Sequence, residues 1–122
     1  MLARLAFRMA RTSFGRFITT LVFAKMDFLI PVKRLRDTPN CLAFHHPSPA
    51  YPLHILIVPK SSLAGLQDLS PADQELLFEM FQMVQSLVAE FNLDPAGYRL
   101  VINGGKNQDI HLLHFHLISS SK

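Results

Sequence analysis

Three of the six histidines lie close together in an otherwise apolar stretch near residue 115. The stretch "HLLHFHLIS" begins at His111 and also holds His114 and His116. In an extended strand, residues two apart share a face and lie about 6.5–7 Å apart along it. His114 and His116 are therefore predicted to point to one side, and the leucines and phenylalanine around them to the other. A buried strand gains more from Val or Leu at such positions, so a pair of imidazoles indicates a functional site.

Paired imidazoles support several kinds of chemistry. Two neutral rings side by side can bind an anion, share a proton, ligate a metal, or act as a nucleophile and its partner. For a metal site, His45 or His46 would join His114 and His116 around a zinc ion. The strand offers no obvious carboxylate or cysteine to complete such a site. The sequence therefore favours anion binding, proton sharing or nucleophilic attack over metal binding, without choosing among these three.

The elements that must position these histidines follow from the pattern of the chain. "CLAFH" (41–45) and "LHILIVP" (53–59) are predicted to be strands, because β-branched and aromatic residues fill them and a proline-rich loop separates them. "YRLVIN" (98–103) is predicted to be another strand, and "DIHLLHFHLIS" (109–119) the last one, with the glycine turn "GGKNQ" between them.

One helix is predicted between the second and third of these strands. Ser70 is placed as its N-cap and Pro71 as its first residue, and apolar residues recur at helical spacing from Leu76 to Phe91. One main helix with about five strands joined by short turns indicates an α+β domain with an antiparallel sheet.

Composition and charge narrow the class of protein. The chain has 122 residues, enough for one domain with a real core, and Cys41 is its single cysteine. A disulfide framework and a Cys-rich zinc site are thereby excluded, and a reducing, cytoplasmic location is expected. Residues 1–36 carry eight Lys/Arg and one acid, whereas residues 37–122 carry four Lys/Arg and eight acids. We therefore predict a basic N-terminal segment, 1–36, followed by the domain, 37–122, and no nucleic-acid partner.

The basic segment has the spacing of an amphipathic helix, with Arg4, Arg8 and Arg11 on one face. The favoured interpretation is a helix that contacts an anionic membrane surface or packs on the domain. An organelle-targeting presequence and a degenerate signal peptide are the two competing interpretations. The apolar run of the basic segment, "FITTLVFA", is far shorter than the roughly 20 residues that a membrane span requires.

From Cys41 to Ile118 the sequence resembles the histidine triad (HIT) family, particularly its histidine-triad nucleotide-binding branch. The motifs are "CLAFHHPSPAYPLHILIVPK", "GYRLVINGG" followed by a glutamine, and "HFHLI", in that order. The resemblance implies an α+β fold and a homodimer whose sheets join through the helix and a shared edge. It also implies binding of purine nucleotides and cleavage of phosphoramidates, phosphoanhydrides or related nucleotidyl bonds, without a cofactor.

The resemblance assigns roles to individual residues. The family pattern is His-φ-His-φ-His-φ-φ, where φ is apolar, and aligned by its end it makes His114 the middle histidine, which is the nucleophile. His116 takes the place of the histidine that holds the phosphate oxygens. Asn103 and Gln108 match polar positions near the phosphate and leaving group, and His54 matches a supporting histidine.

Three positions depart from the family pattern. Leu112 stands where the first triad histidine is expected, and His111 comes one residue early, which puts its side chain on the opposite face of a strand unless a bulge intervenes. His46, next to the further candidate His45, stands where relatives often carry an acid for the ribose hydroxyls. Asp109 stands where Ser or Thr is common, and a carboxylate near a phosphate is repulsive unless it is protonated or turned away.

Two functions follow as hypotheses. In the first, the protein hydrolyses nucleotidyl bonds through a covalent intermediate on His114. In the second, the altered triad binds a nucleotide or another phosphate ligand with little turnover. The two are distinguished by turnover that disappears in His114→Ala, as against tight AMP binding without turnover.

Overall fold

A computed structural model describes residues 34–121, which form a five-stranded antiparallel sheet with one long helix on one side. The strands and helices are β1 (Arg34–Asp37), β2 (Cys41–His45), β3 (Leu53–Pro59), α1 (Gln74–Glu90), α2 (Leu93–Ala96), β4 (Arg99–Val101) and β5 (Phe115–Ser119). In space the strands follow the order β1-β2-β3-β5-β4. The predicted α+β architecture is confirmed, while the predicted N-terminal helix lies outside the described residues.

The start of α1 follows the predicted capping signal. The Ser70 hydroxyl accepts a hydrogen bond from the Ala72 N–H at 3.3 Å, and the Asp73 carboxylate accepts one from the Ser70 N–H at 2.9 Å. A short 3-10 turn, Pro71–Asp73, leads into the helix. These bonds satisfy backbone donors that the first turn of a helix leaves without partners.

The core lies between the sheet and α1. One side of the sheet, the helix face, presents apolar side chains from β2, β3 and β5 to Met80, Met83, Val84 and Leu87 of α1. Burying each such side chain stabilises the fold by about 1.5–3 kcal/mol. The sheet residues of this cluster are Cys41, Ala43, Leu53, Ile55, Ile57, Phe115 and Leu117.

The other side of the sheet carries the histidines, and we call it the histidine face. His54 of β3 is opposite Ile118 of β5, and Leu56 is opposite His116. Residues directly opposite each other in an antiparallel pair share a face. Because Phe115 and Leu117 face the helix, His116 and Ile118 must face away from it. The predicted separation of imidazoles from core residues along this strand is confirmed.

Two elements differ from the sequence prediction. Strand β1 pairs with β2 and crosses the expected boundary between residues 36 and 37, so Arg34–Asp37 form part of the sheet. The last strand begins at Phe115 instead of residue 109. Just before it, the Leu113 N–H donates to the Leu63 carbonyl at 2.8 Å, so this stretch is held by a loop instead of a neighbouring strand.

No helix within residues 34–121 combines the length and the hydropathy that crossing a membrane would require.

Candidate functional site

Four histidine rings meet at one end of the histidine face. His46 follows β2, His54 belongs to β3, His114 immediately precedes β5, and His116 is the second residue of β5. The ring centroids of His46 and His54 are 4.3 Å apart, those of His54 and His116 5.2 Å, and those of His114 and His116 4.8 Å. These residues form what we call the four-histidine cluster. Three separate segments of the chain supply it, and the sheet register brings them together.

His114 is buried, with 7% of its surface exposed. Its Nδ1 lies 2.6 Å from the Leu112 carbonyl oxygen, which can only accept, so Nδ1 carries the proton and donates it. In the neutral ring the lone pair is then on Nε2. Burial lowers the pKa of His114, although the Leu112 carbonyl and the charge of Asp109 act in the opposite direction. The ring is thus a neutral, oriented base with its lone pair on Nε2.

A chain of hydrogen bonds determines the tautomer of His116. The Ala50 N–H can only donate, and it does so to His54 Nδ1 at 3.1 Å. Neutral His54 therefore carries its proton on Nε2, which lies 2.9 Å from His116 Nδ1 and donates to it. Neutral His116 must then carry its own proton on Nε2. We call this chain, from Ala50 through His54 to His116, the histidine relay.

The relay ends on a donor that lacks a partner. His116 Nε2 is the buried side-chain polar atom for which the described part of the chain provides no hydrogen bond. A buried donor left without an acceptor costs about 1–3 kcal/mol. Such a group in a native fold calls for an explanation, and a ligand that accepts its proton supplies one.

The cluster is neutral near pH 7. Burial is the largest cause in each case, and it lowers the pKa of His46, His54 and His116 from 6.5 to about 4. The neighbouring imidazoles contribute in the same direction, because a charge on one ring disfavours a charge on the next. The Ser48 N–H donates to His46 Nδ1 at 2.9 Å, so the neutral His46 ring carries its proton on Nε2. The cluster therefore combines one oriented lone pair with N–H donors in a setting of low polarity, which suits a phosphoryl group.

The structure brings together some of the predicted site residues and separates others. His45 is not part of the cluster, because it lies on the helix face with its ring 6.0 Å from that of Phe91. His111 is exposed and makes no hydrogen bond within residues 34–121, so it does not take the place of a third triad histidine. A zinc site formed with His45 is therefore inconsistent with the fold. Within the described residues, no group of three or more His, Cys, Asp or Glu side chains is arranged to hold a metal ion.

The three polar candidates lie in the segment between β4 and His114. Gln108 Nε2 donates to the carbonyls of Ala64 at 2.7 Å and Ile110 at 3.0 Å, and so ties this segment to the loop after β3. Asp109 is exposed but close enough to influence the charge of His114. The β4–β5 register pairs Val101 with His116. Continued by two residues, it would place Asn103 beside His114.

Sequence reasoning missed the backbone groups of the site. The Ala50 N–H and the Leu112 carbonyl determine where the protons of the cluster lie, and side-chain patterns do not reveal them. The proline-rich loop "HPSPAYP" was a usable signal, because prolines restrict the backbone on both sides of Ala50. Tyr51, in the same loop, packs its ring edge-on against His54 at 5.5 Å.

Comparison with known proteins places this site in a wider context. A family model described as the HIT domain matches residues 28–122. An uncharacterized HIT-like protein of Buchnera aphidicola is 32% identical over 96 residues, which cover 77% of this chain and 86% of that protein. A HIT-like protein of Chlamydia pneumoniae is 36% identical over 95 residues, which cover 76% and 86%. The crystal structure of a HIT family hydrolase from Legionella pneumophila is 28% identical with a TM-score of 0.73, covering 84% of this chain and 90% of that one.

Proposed function

The chain belongs to the HIT domain family, and from that premise we propose that it hydrolyses nucleoside phosphoramidates or related nucleotidyl bonds. Within the family we assign it to the histidine-triad nucleotide-binding branch, with a purine nucleotide conjugate as substrate. The observation that carries the proposal is the complementary protonation of two neighbouring rings. His114 has its lone pair on Nε2, and His116 has an unpartnered proton on Nε2.

His114 acts as the nucleophile. The Leu112 carbonyl holds its Nδ1 proton, which aligns the ring and increases the electron density at Nε2. Because burial keeps the pKa of His114 below its ordinary value, the ring is neutral at pH 7 and its Nε2 carries no proton. The nucleophile is therefore ready without a separate general base.

His116 stabilises the charge that develops on the phosphoryl oxygens. Its Nε2 proton is already buried and oriented by the histidine relay, so no reorganisation is needed when a phosphate arrives. The relay also resists a second proton on His116. A proton on His116 Nδ1 would oppose the one on His54 Nε2, and moving the latter to Nδ1 would oppose the Ala50 N–H. His116 is thus a neutral hydrogen-bond donor and not an acid.

The reaction proceeds in two displacements. His114 Nε2 attacks the α-phosphorus, a nitrogen–phosphorus bond forms, and the bond to the leaving nitrogen breaks with its electron pair on that nitrogen, which takes a proton from solvent. Water then attacks the same phosphorus, the bond to His114 breaks, and a proton returns to solvent. The products are the nucleoside monophosphate and the free amine.

Leu112 occupies the first triad position in this assignment. Its side chain cannot donate or accept a hydrogen bond, but its carbonyl supplies the contact that orients His114. Because a leucine and a histidine have the same backbone carbonyl, the substitution leaves this contact intact. We therefore expect turnover despite the altered triad.

A second candidate function is nucleotide binding with little turnover. Leu112 is the observation that favours it, because a histidine there could support the departing group and a leucine cannot. This function uses the same His116 donor and the same neutral cluster. It differs from the first in predicting no covalent intermediate.

The exposed surface of α1 beside the edge strand β4 is the expected dimer interface. Phe78 and Phe81 of α1 have 65% and 46% of their surfaces exposed, and they line one surface pocket together with Leu100 of β4. Exposed aromatic residues next to an open strand edge favour a homodimer that joins through α1 and β4. We also propose a cytoplasmic location, with the basic segment that precedes β1 contacting a membrane surface.

Hydrolysis of an adenosine 5′-phosphoramidate tests the proposal. The wild type and His114→Ala are compared, and intact-protein mass spectrometry after rapid acid quench detects a trapped nucleotidyl group. We expect wild-type turnover, a phosphorus–nitrogen adduct on His114, and loss of both in the variant. Circular dichroism confirms that the variant is folded. AMP binding by the wild type with neither turnover nor adduct would reject hydrolysis and leave the binding function.

A further inference from the structure

A separate pocket opens on the histidine face beside the four-histidine cluster. It has a volume of about 360 Å³ and is lined by Tyr51, Tyr98, Arg99 and Ile118, together with Ser119, Ser120 and the backbone around Gly97. Tyr51 links the pocket to the cluster, because its ring packs against His54 at 5.5 Å. We call it the Arg99 pocket.

The sheet register places the Arg99 pocket next to His116. Arg99 of β4 is opposite Ile118 of β5, which in turn is opposite His54 of β3. These three side chains form one row across the histidine face, and His116 belongs to the adjacent row. Residues two apart on a strand are about 6.5–7 Å apart. The pocket is therefore within the reach of a small molecule that also contacts His116.

Arg99 has no counter-charge in the described part of the chain. It is exposed, and it forms neither a hydrogen bond nor an ion pair within residues 34–121. By contrast, Arg34 and Arg36 of β1 pair with Asp37 and Glu90, and Lys60 pairs with Asp37. A guanidinium matches a carboxylate or phosphate with two parallel hydrogen bonds. Arg99 is thus a cation available to an anionic group in this pocket.

The direction of the reaction indicates which part of a substrate would reach the pocket. In an in-line displacement, the leaving group departs on the side of phosphorus opposite the nucleophile. The Leu112 carbonyl holds His114 Nδ1, so Nε2, on the other side of the ring, is directed away from Leu112. A group that leaves in line with Nε2 would then move toward His116, Ile118 and Arg99. An amine that carries a carboxylate a few bonds from its nitrogen has the length and charge to bridge this distance.

We propose that the Arg99 pocket binds the leaving group of the substrate, and that Arg99 selects amines bearing a carboxylate, such as amino acids joined through nitrogen to the nucleotide phosphorus. This inference rests on the proposed hydrolysis and adds the class of leaving group to it. Arg99 is a specificity-determining residue here and takes no part in bond breaking. A homodimer joined across the β4 edge would use backbone groups of that strand and leave the Arg99 side chain on the histidine face.

A matched pair of substrates tests the proposal. Adenosine 5′-phosphoramidates of glycine and of glycinamide share the same scissile bond and nearly the same size, but only the first carries a carboxylate. We measure kcat/KM for both with the wild type, Arg99→Gln and Arg99→Lys, using the full chain. Arg36→Gln removes the same charge at β1, the opposite edge of the sheet, and serves as the control.

We expect the wild type to prefer the glycine compound about tenfold, the effect of one charge-assisted hydrogen-bonded pair. Arg99→Gln should lose that preference because it hydrolyses the glycine compound about tenfold more slowly, and Arg99→Lys should keep only part of the preference. The preference should also decrease as salt is raised. Arg36→Gln should behave like the wild type.

Each other result has a defined meaning. Equal rates for the two substrates in the wild type, with no change in Arg99→Gln, would overturn the leaving-group inference and leave the proposed hydrolysis standing. A preference lost equally in Arg36→Gln would assign it to overall charge and overturn the inference as well. Absence of turnover of both substrates, with no adduct on His114, would overturn the hydrolysis itself.

Discussion

Replacing His54 with phenylalanine would remove the group that determines the tautomer of His116. Phenylalanine keeps an aromatic ring against Tyr51 and His46, which lie 5.5 Å and 4.3 Å from His54, but it can neither accept from Ala50 nor donate to His116. His116 would then be able to place its proton on Nδ1 and present a lone pair to the ligand. A lone pair facing a phosphate oxygen is repulsive where the Nε2 proton is attractive.

The expected magnitude follows from the hydrogen bonds that are lost. The hydrogen bond from His116 to a charged phosphate oxygen contributes about 1.5–3 kcal/mol, which corresponds to roughly a ten- to hundredfold loss of AMP affinity. The Ala50 N–H loses its acceptor as well, so the free energy of unfolding should decrease by about 1–3 kcal/mol. The two effects can be separated, because the first is measured on the folded protein.

Nitrogen-15 NMR of the histidine rings measures the tautomer directly, and calorimetric titration measures AMP binding. In the wild type, His116 should carry its proton on Nε2 and His54 also on Nε2, and in His54→Phe the His116 signal should shift toward the other tautomer. His111→Phe changes an exposed histidine outside the cluster and should alter neither measurement. A wild-type His116 protonated on Nδ1, or unchanged AMP affinity in a folded His54→Phe, would refute the relay.

Two further predictions concern the cluster as a whole and the altered triad position. His46, His54 and His116 have pKa values of about 4 in the folded protein and 6.5 in an unfolded chain, so their stabilisation is complete above pH 6.5 and is lost as the pH falls toward 4. Urea unfolding between pH 7.5 and 5.5 should show stability decreasing by up to about 1.4 kcal/mol per pH unit for each histidine that stays neutral, and a flat profile would contradict neutral burial. Leu112→His should raise kcat by less than about tenfold, because the backbone contact to His114 is already present and only one further hydrogen bond of about 1 kcal/mol can be gained. A gain of several orders of magnitude would show that the leucine protein is primarily a binding protein.

The fold was largely predictable because local signals and long-range packing agree. The proline-rich loop, the β-branched residues of β3 and the Ser70 cap each indicate the element that the structure contains. Strand β1 was missed, since "RLRD" is too short and too charged to show a pattern of its own. It forms because β2 offers it a free edge, and such tertiary pairing is not encoded in the strand's own composition.

The site was only partly predictable, and the two adjacent histidines show why. His45 and His46 follow each other at the end of β2, and apart from the family resemblance, which singles out His46, nothing in the residues themselves favours one of them as a site residue. In the structure His45 is the last strand residue and faces Phe91, whereas the next residue points to the histidine face. The choice depends on the register of β2 against β3, which pairs His45 with Ile55 of the core.

In the altered triad, the groups that orient the His114 and His116 rings are backbone atoms. The Leu112 carbonyl orients His114, and the Ala50 N–H, through His54, orients His116. A substitution changes a side chain and leaves these atoms in place, provided the local backbone is kept. Here it is kept by bonds that do not depend on residue 112: the Leu113 N–H is held by the Leu63 carbonyl, and the adjoining segment is held by Gln108. A comparison of the triad side chains alone therefore overestimates how much ring orientation is lost when Leu112 replaces a histidine.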